Sequence, residues 1–181
     1  MRIALEKELQ AYQAQRNACK ESHFEWLKSH ESLYTHALTL TFNPAKINAY
    51  TSQFSTSVSM SSPRMILEYK DSMRRFIRYM NKDVYGCSGI KHQRLVLVPV
   101  IEGLFGGKVP HYHCCLGVES DKFEGLEDSV KNAWSKVPFS GYEIKVEPYR
   151  DSGWLTYINK FSQNPNQLTV DWGNANLGVK S

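Results

Sequence analysis

The sequence predicts an α+β sandwich: a four-stranded antiparallel sheet with helices packed on one face and a ligand-accessible face on the other. Two observations lead there. Strand-like and helix-like segments follow in the order strand, helix, strand, strand, helix, strand, with helices flanking. The two middle strands are joined by the short glycine-rich connection 102–109, which makes them an antiparallel hairpin. A sheet covered on one face leaves the other free for a ligand.

The elements are read in order. Residues 4–29 lack Gly and Pro and carry Leu5, Leu9, Tyr12, Phe24 and Leu27 as a loose helical stripe. His36–Phe42 alternates, with Leu38, Leu40 and Phe42 on one face and Thr39 and Thr41 on the other; Asn43-Pro44 ends it. Residues 51–62 are Ser/Thr-rich and read as a loop. Pro63, behind Ser61 or Ser62 as a cap, starts a helix. Met65, Tyr69, Met73, Phe76, Ile77 and Met80 are its core stripe, and residues 84–89 are a turn. Arg94–Ile101 is a strand whose continuous apolar character suits a central position, while Pro99 suggests a bulge or an edge. The strand beginning at His111 ends near Val118. Residues 121–136 form a helix with Phe123, Leu126, Val130 and Trp134 inward. Tyr142–Pro148 alternates as a fourth strand, and 152–161 is a short helix capped by Asp151 or Ser152. This order is ferredoxin-like, or RRM-like. We read one domain: a helical extension over 1–30, a core over 36–161 and a polar tail over 162–181.

Composition narrows the function classes. A chain of 181 residues, 41% hydrophobic and 22% charged, can bury a sizeable core. No apolar run approaches the roughly 20 residues of a membrane helix. Residues 1–20 have no apolar signal-peptide centre, so the expectation is a cytoplasmic protein without membrane association. The four cysteines form no C-x-x-C pair, which disfavours a zinc knuckle. The net charge of +4 is too small to argue for nucleic acid. Its distribution is uneven: Arg64, Lys70, Arg74, Arg75, Arg78 and Lys82 face only Glu68 and Asp71 over residues 64–82. That is a solvated helix face, or a phosphate-binding one if other features support it.

Those features are two short motifs. His111 and His113 are two apart on a strand and leave the same face. Paired neutral imidazoles make a poor core but half of a metal site. Glu102, at the end of the preceding strand, is brought beside His111 by a short hairpin and completes a site with open positions. Cys115 lies on the same face and is the competing third ligand; His, His and Cys would favour zinc. In the second motif, Tyr157 and Lys160 share a helix face, while Leu155 and Ile158 share another and pack on the sheet. Alone they are a surface Tyr and Lys. Near a divalent metal, a tyrosine can attack a phosphodiester and an ammonium can stabilise the developing charge.

The ordered set resembles the HUH endonucleases, specifically the single-tyrosine rolling-circle replication initiators (Rep proteins). Leu38-Thr39-Leu40-Thr41-Phe42 resembles the first family motif, Pro110-His111-Tyr112-His113 the metal-binding second, and Tyr157-Ile158-Asn159-Lys160 the third. Glu102 sits nine residues before His111, where related initiators place an acidic ligand. The resemblance covers about residues 36–161. It implies site-specific nicking and joining of single-stranded or extruded hairpin origin DNA of a plasmid, phage or similar element. Tyr157 would form the 5′-phosphotyrosyl link, assisted by Lys160. Glu102, His111 and His113 would hold Mg²⁺ or Mn²⁺. Thr39, Thr41, Arg74, Arg75, Arg78 and Lys108 would contact DNA. Tyr112 and Trp154 could stack on bases, although core packing suits them better.

The chain departs from the two-tyrosine initiators, since no second tyrosine follows at the third motif. It has no G-x-x-x-x-G-K-[ST] motif, so unwinding would fall to a host helicase. The alternatives are a single-tyrosine transposase or relaxase-like strand transferase of the same superfamily, a non-catalytic nucleic-acid-binding module, and a structural zinc protein using Cys115.

Overall fold

A computed structural model describes residues 2–54, 58–92, 94–104, 108–159 and 170–178. The chain divides into two compact units, residues 1–32 with 150–169 and residues 33–149 with 170–181. Among the described residues no helix is long and apolar enough to cross a membrane.

The larger unit is the expected α+β sandwich. Strands β1 (His36–Phe42), β2 (Val96–Glu102), β3 (His111–Gly117) and β4 (Ser140–Pro148) form one sheet in the order β2-β3-β1-β4, every pair antiparallel. Alternation sends Leu38, Leu40 and Phe42 of β1 and Tyr112, Cys114 and Leu116 of β3 to one face. There they meet Met65, Tyr69, Met73, Phe76 and Met80 of α3 (Pro63–His92) and Leu126, Val130 and Trp134 of α4 (Leu126–Ser135). Trp134 is fully buried and donates its indole N–H to the Thr41 carbonyl at 3.0 Å. Truncating such a residue to alanine typically costs about 3–5 kcal/mol.

Several details differ from the sequence reading. Residues 44–50, assigned no element above, and Thr51, read as the start of a loop, form helix α2 (Pro44–Thr51). Asn43 caps it, its side-chain oxygen accepting from the N–H of Ala45 at 2.9 Å and of Lys46 at 3.3 Å. The expected turn at 84–89 is helical backbone broken at Gly86, where φ is 67° and ψ −156°. Phe123, expected inward, is 44% exposed and rests edge-on against His36, because a 3₁₀ turn over Ser120–Lys122 precedes α4.

Strand β2 is at the sheet edge, not its centre. Pro99 fits there: its carbonyl points outward and accepts from the N–H of Asp171 at 2.9 Å, so the missing proline N–H costs the β2–β3 ladder nothing. The C-terminal segment covers this edge through bridges of Val170 to Val100 and of Asn176 to Leu97. Its Asp171 is buried and accepts from the Tyr112 hydroxyl at 3.0 Å and the Asn174 amide at 2.7 Å.

The smaller unit holds α1 (Arg2–Ser29) and α5 (Gly153–Asn159). The Asn159 amide donates to the Lys20 carbonyl at 2.9 Å and ties the two helices together.

Candidate metal centre

Strand pairing assembles the site. In the β2–β3 ladder Glu102 lies opposite His111 and Val100 opposite His113. In the β1–β3 ladder Thr39 lies opposite His113 and Thr41 opposite His111. Because Tyr112 and Cys114 turn toward the helices, His111 and His113 project from the other face, with Glu102 and Thr39 beside them.

One carboxylate oxygen is the focus. Glu102 Oε2 stands 3.1 Å from His113 Nε2 and 3.5 Å from His111 Nε2. The ligating atoms of all three residues lie within 4.8 Å of one another. The Glu102 and His113 side chains are 7% and 5% exposed, and that of His111 is 20% exposed, so the cluster opens on the His111 side.

The far nitrogens of both rings are held in place. His111 Nδ1 is 3.0 Å from the Val109 carbonyl. A carbonyl can only accept, so Nδ1 carries the proton of that hydrogen bond and Nε2 is the nitrogen turned toward Glu102. His113 Nδ1 is 3.0 Å from Thr39 Oγ1, which can take its proton and free Nε2 as a ligand. Glu102 Oε2 is buried and, among the described residues, meets no hydrogen-bond donor in acceptable geometry. A buried carboxylate oxygen with two imidazole nitrogens at 3.1 and 3.5 Å is a donor set suited to a divalent cation. A partner oriented through the other ring nitrogen is the usual support of a metal-ligating histidine. The cluster can therefore hold a divalent metal ion.

The other expected site residues fall elsewhere. Cys115 is buried on the histidine face but outside the cluster. Cys114 faces the helices, where burial, then the charges of Cys115 and Asp171, hold its thiol well above its usual range. Thr41 donates to the Glu143 carbonyl at 2.8 Å. Lys108 is exposed just before β3. Arg74, Arg75 and Arg78 lie on α3, on the opposite side of the sheet from the histidines. Tyr157 is on α5 in the smaller unit, 39% exposed, with its ring stacked on Trp154 at 5.5 Å and 12°. Lys160 lies outside the described residues.

The sequence reading missed three supports: the Val109 carbonyl, the Thr39 hydroxyl in its role toward His113, and Gly103. Only Gly103 carried a signal, as a glycine directly after the candidate ligand Glu102.

No family model, curated protein or solved structure matches this chain. Fold and site together define an antiparallel α+β sandwich whose sheet carries a Glu-His-His cluster able to hold a divalent metal.

Proposed function

We propose that this protein is a metal-dependent enzyme that nicks and rejoins single-stranded DNA through a tyrosine, acting as a replication initiator for a plasmid, phage or similar element. The observation that carries the reading is the convergence of Glu102, His111 and His113 on one point, with each imidazole oriented from behind. The motif order Thr39/Thr41, His-x-His, Tyr-x-x-Lys supports it.

In this reading Glu102, His111 and His113 hold Mg²⁺ or Mn²⁺. Such an ion, when bound, polarises a phosphodiester oxygen and offsets its charge. Tyr157 supplies the nucleophile. Its oxygen bonds to phosphorus as the P–O3′ bond breaks, and the phenolic proton ends on the departing 3′-oxygen. The product is a 5′-phosphotyrosine that keeps the phosphodiester energy, so a later 3′-hydroxyl can reseal the strand. Lys160 stabilises phenolate or phosphoryl charge.

The test is incubation with a randomised pool of single-stranded DNA and Mn²⁺, followed by denaturing electrophoresis. A covalent protein–DNA species is expected, lost in EDTA and in Tyr157→Phe. An adduct that persists in Tyr157→Phe sinks the nucleophile assignment, and no adduct from any sequence in the pool sinks the nickase.

A further inference from the structure

The outward side of α3 carries a feature that the metal centre does not use. A cleft of about 710 Å³ runs between α3 and the C-terminal segment. Its α3 wall includes Asp71, Arg74, Arg75 and Arg78; its other wall is Gly173–Asn176. The second wall is fixed, since Asn174 donates to the Lys70 carbonyl at 2.8 Å and Asn176 bridges to Leu97 of β2.

The charge of the cleft is one-sided. Arg74 and Arg75 share the single carboxylate of Asp71, at 2.9 Å and 2.8 Å. Arg78 is exposed and has no carboxylate partner among the described residues. Exposed Lys82 continues the row one turn beyond Arg78. Arg74 to Lys82 spans about 12 Å of helix, the length of three or four phosphates along a duplex at about 3.4 Å each.

The aromatic content of the cleft points away from unpaired bases. Grooves for single strands offer exposed rings for stacking. Among the described residues, the one aromatic side chain lining this cleft is Tyr79, half-buried, with the Lys136 ammonium 6.0 Å from its ring centre.

We propose that this cleft is a second nucleic-acid site, separate from the metal centre, that grips the sugar-phosphate backbone of duplex DNA. It takes the polyanion's identity from the proposed function. Its physical basis, a row of guanidiniums in a fixed cleft with Tyr79 as the one aromatic among its described lining residues, is independent of the metal centre.

The test is fluorescence anisotropy of the full chain with a labelled 20-base-pair duplex and a single strand of the same length, in EDTA, across a salt series. Arg75→Ala/Arg78→Ala is compared with Lys122→Ala/Lys131→Ala, which removes equal charge away from the cleft. The cleft variant should bind duplex on the order of tenfold more weakly. Its log-affinity against log-salt slope should fall by about 2, at close to one unit per lost phosphate contact. The control and the single strand should change less than threefold. Equal losses in cleft and control variants, equal losses for duplex and single strand, or no duplex binding by the wild type would each overturn the proposal. Because these measurements use no metal, duplex binding that tracks the arginines without any adduct overturns the nickase alone. Adduct formation with no arginine dependence of duplex binding overturns the cleft alone.

Discussion

Replacing Gly103 with alanine should weaken metal binding at the candidate centre without touching Glu102, His111 or His113. Gly103 follows Glu102 directly and has a φ of +80°, where an L side chain costs about 1–2 kcal/mol. A Cβ there would also stand 2.6 Å from the Val109 carbonyl oxygen, against an ordinary contact that begins at 3.4 Å. The carbonyl must therefore withdraw by about 0.8 Å, the difference of those two distances. It is the same carbonyl that holds His111 Nδ1 at 3.0 Å. That bond would open beyond the roughly 3.2 Å of a good N–H···O contact. Loss of a partner that orients a ligating histidine typically lowers metal affinity by about 10–100-fold. Gly125→Ala is the matched control: φ is +74°, and nothing lies within 4 Å of the added Cβ. Both variants should lose about 1–2 kcal/mol in urea unfolding from backbone strain, and Gly103→Ala more. In calorimetric Mn²⁺ titration only Gly103→Ala should bind at least tenfold more weakly. Wild-type Mn²⁺ affinity in Gly103→Ala, or equal losses in both variants, would refute the claim that the Val109 carbonyl orients His111.

Three further outcomes follow from the packing of Thr39, Tyr112 and His36. Thr39→Val keeps the side-chain shape but removes the Oγ1 contact to His113 Nδ1, so Mn²⁺ affinity should fall by about tenfold with the urea midpoint nearly unchanged. Tyr112→Phe should cost about 1–3 kcal/mol in urea unfolding, because the buried Asp171 carboxylate loses a donor. Burial lowers the pKa of His36, so below its ordinary value of about 6.5 the unfolded chain takes up a proton that the folded chain refuses. Stability should fall as pH drops through that region, and His36→Gln should make the fall from pH 7.5 to pH 5 shallower in urea midpoints; an unchanged fall would count against the assignment.

How much of this was legible in the sequence depends on the distance over which each feature is encoded. The shared face of His111 and His113 follows from the period of a strand, and the short hairpin brings Glu102 opposite His111, as the register has it. Helix α2 was also encoded locally, in the Asn43 cap and Pro44 at the first helical position, but the Ser/Thr-rich stretch after it masked the signal. Thr39 beside His113 was not legible, because β1 and β3 become neighbours only through non-local strand order. The same holds for the C-terminal residues on β2: Val170 and Asn176 make isolated bridges with no periodicity to betray them. The inward stripe of α3 was read from its spacing, and the expected sandwich already put the helices on the sheet face away from the ligand. That side puts Arg74, Arg75 and Arg78 across the sheet from the histidines.

The claim on which the account rests is that Glu102, His111 and His113 form a metal centre. Pulsed electron paramagnetic resonance of the protein titrated with Mn²⁺ tests it most directly, because coupling to ligand nitrogen identifies imidazole at the ion. One bound Mn²⁺ per chain is expected, with nitrogen coupling from two imidazoles that is lost in His111→Ala/His113→Ala. No bound ion, or an ion without imidazole coupling that binds the double variant equally well, would contradict it.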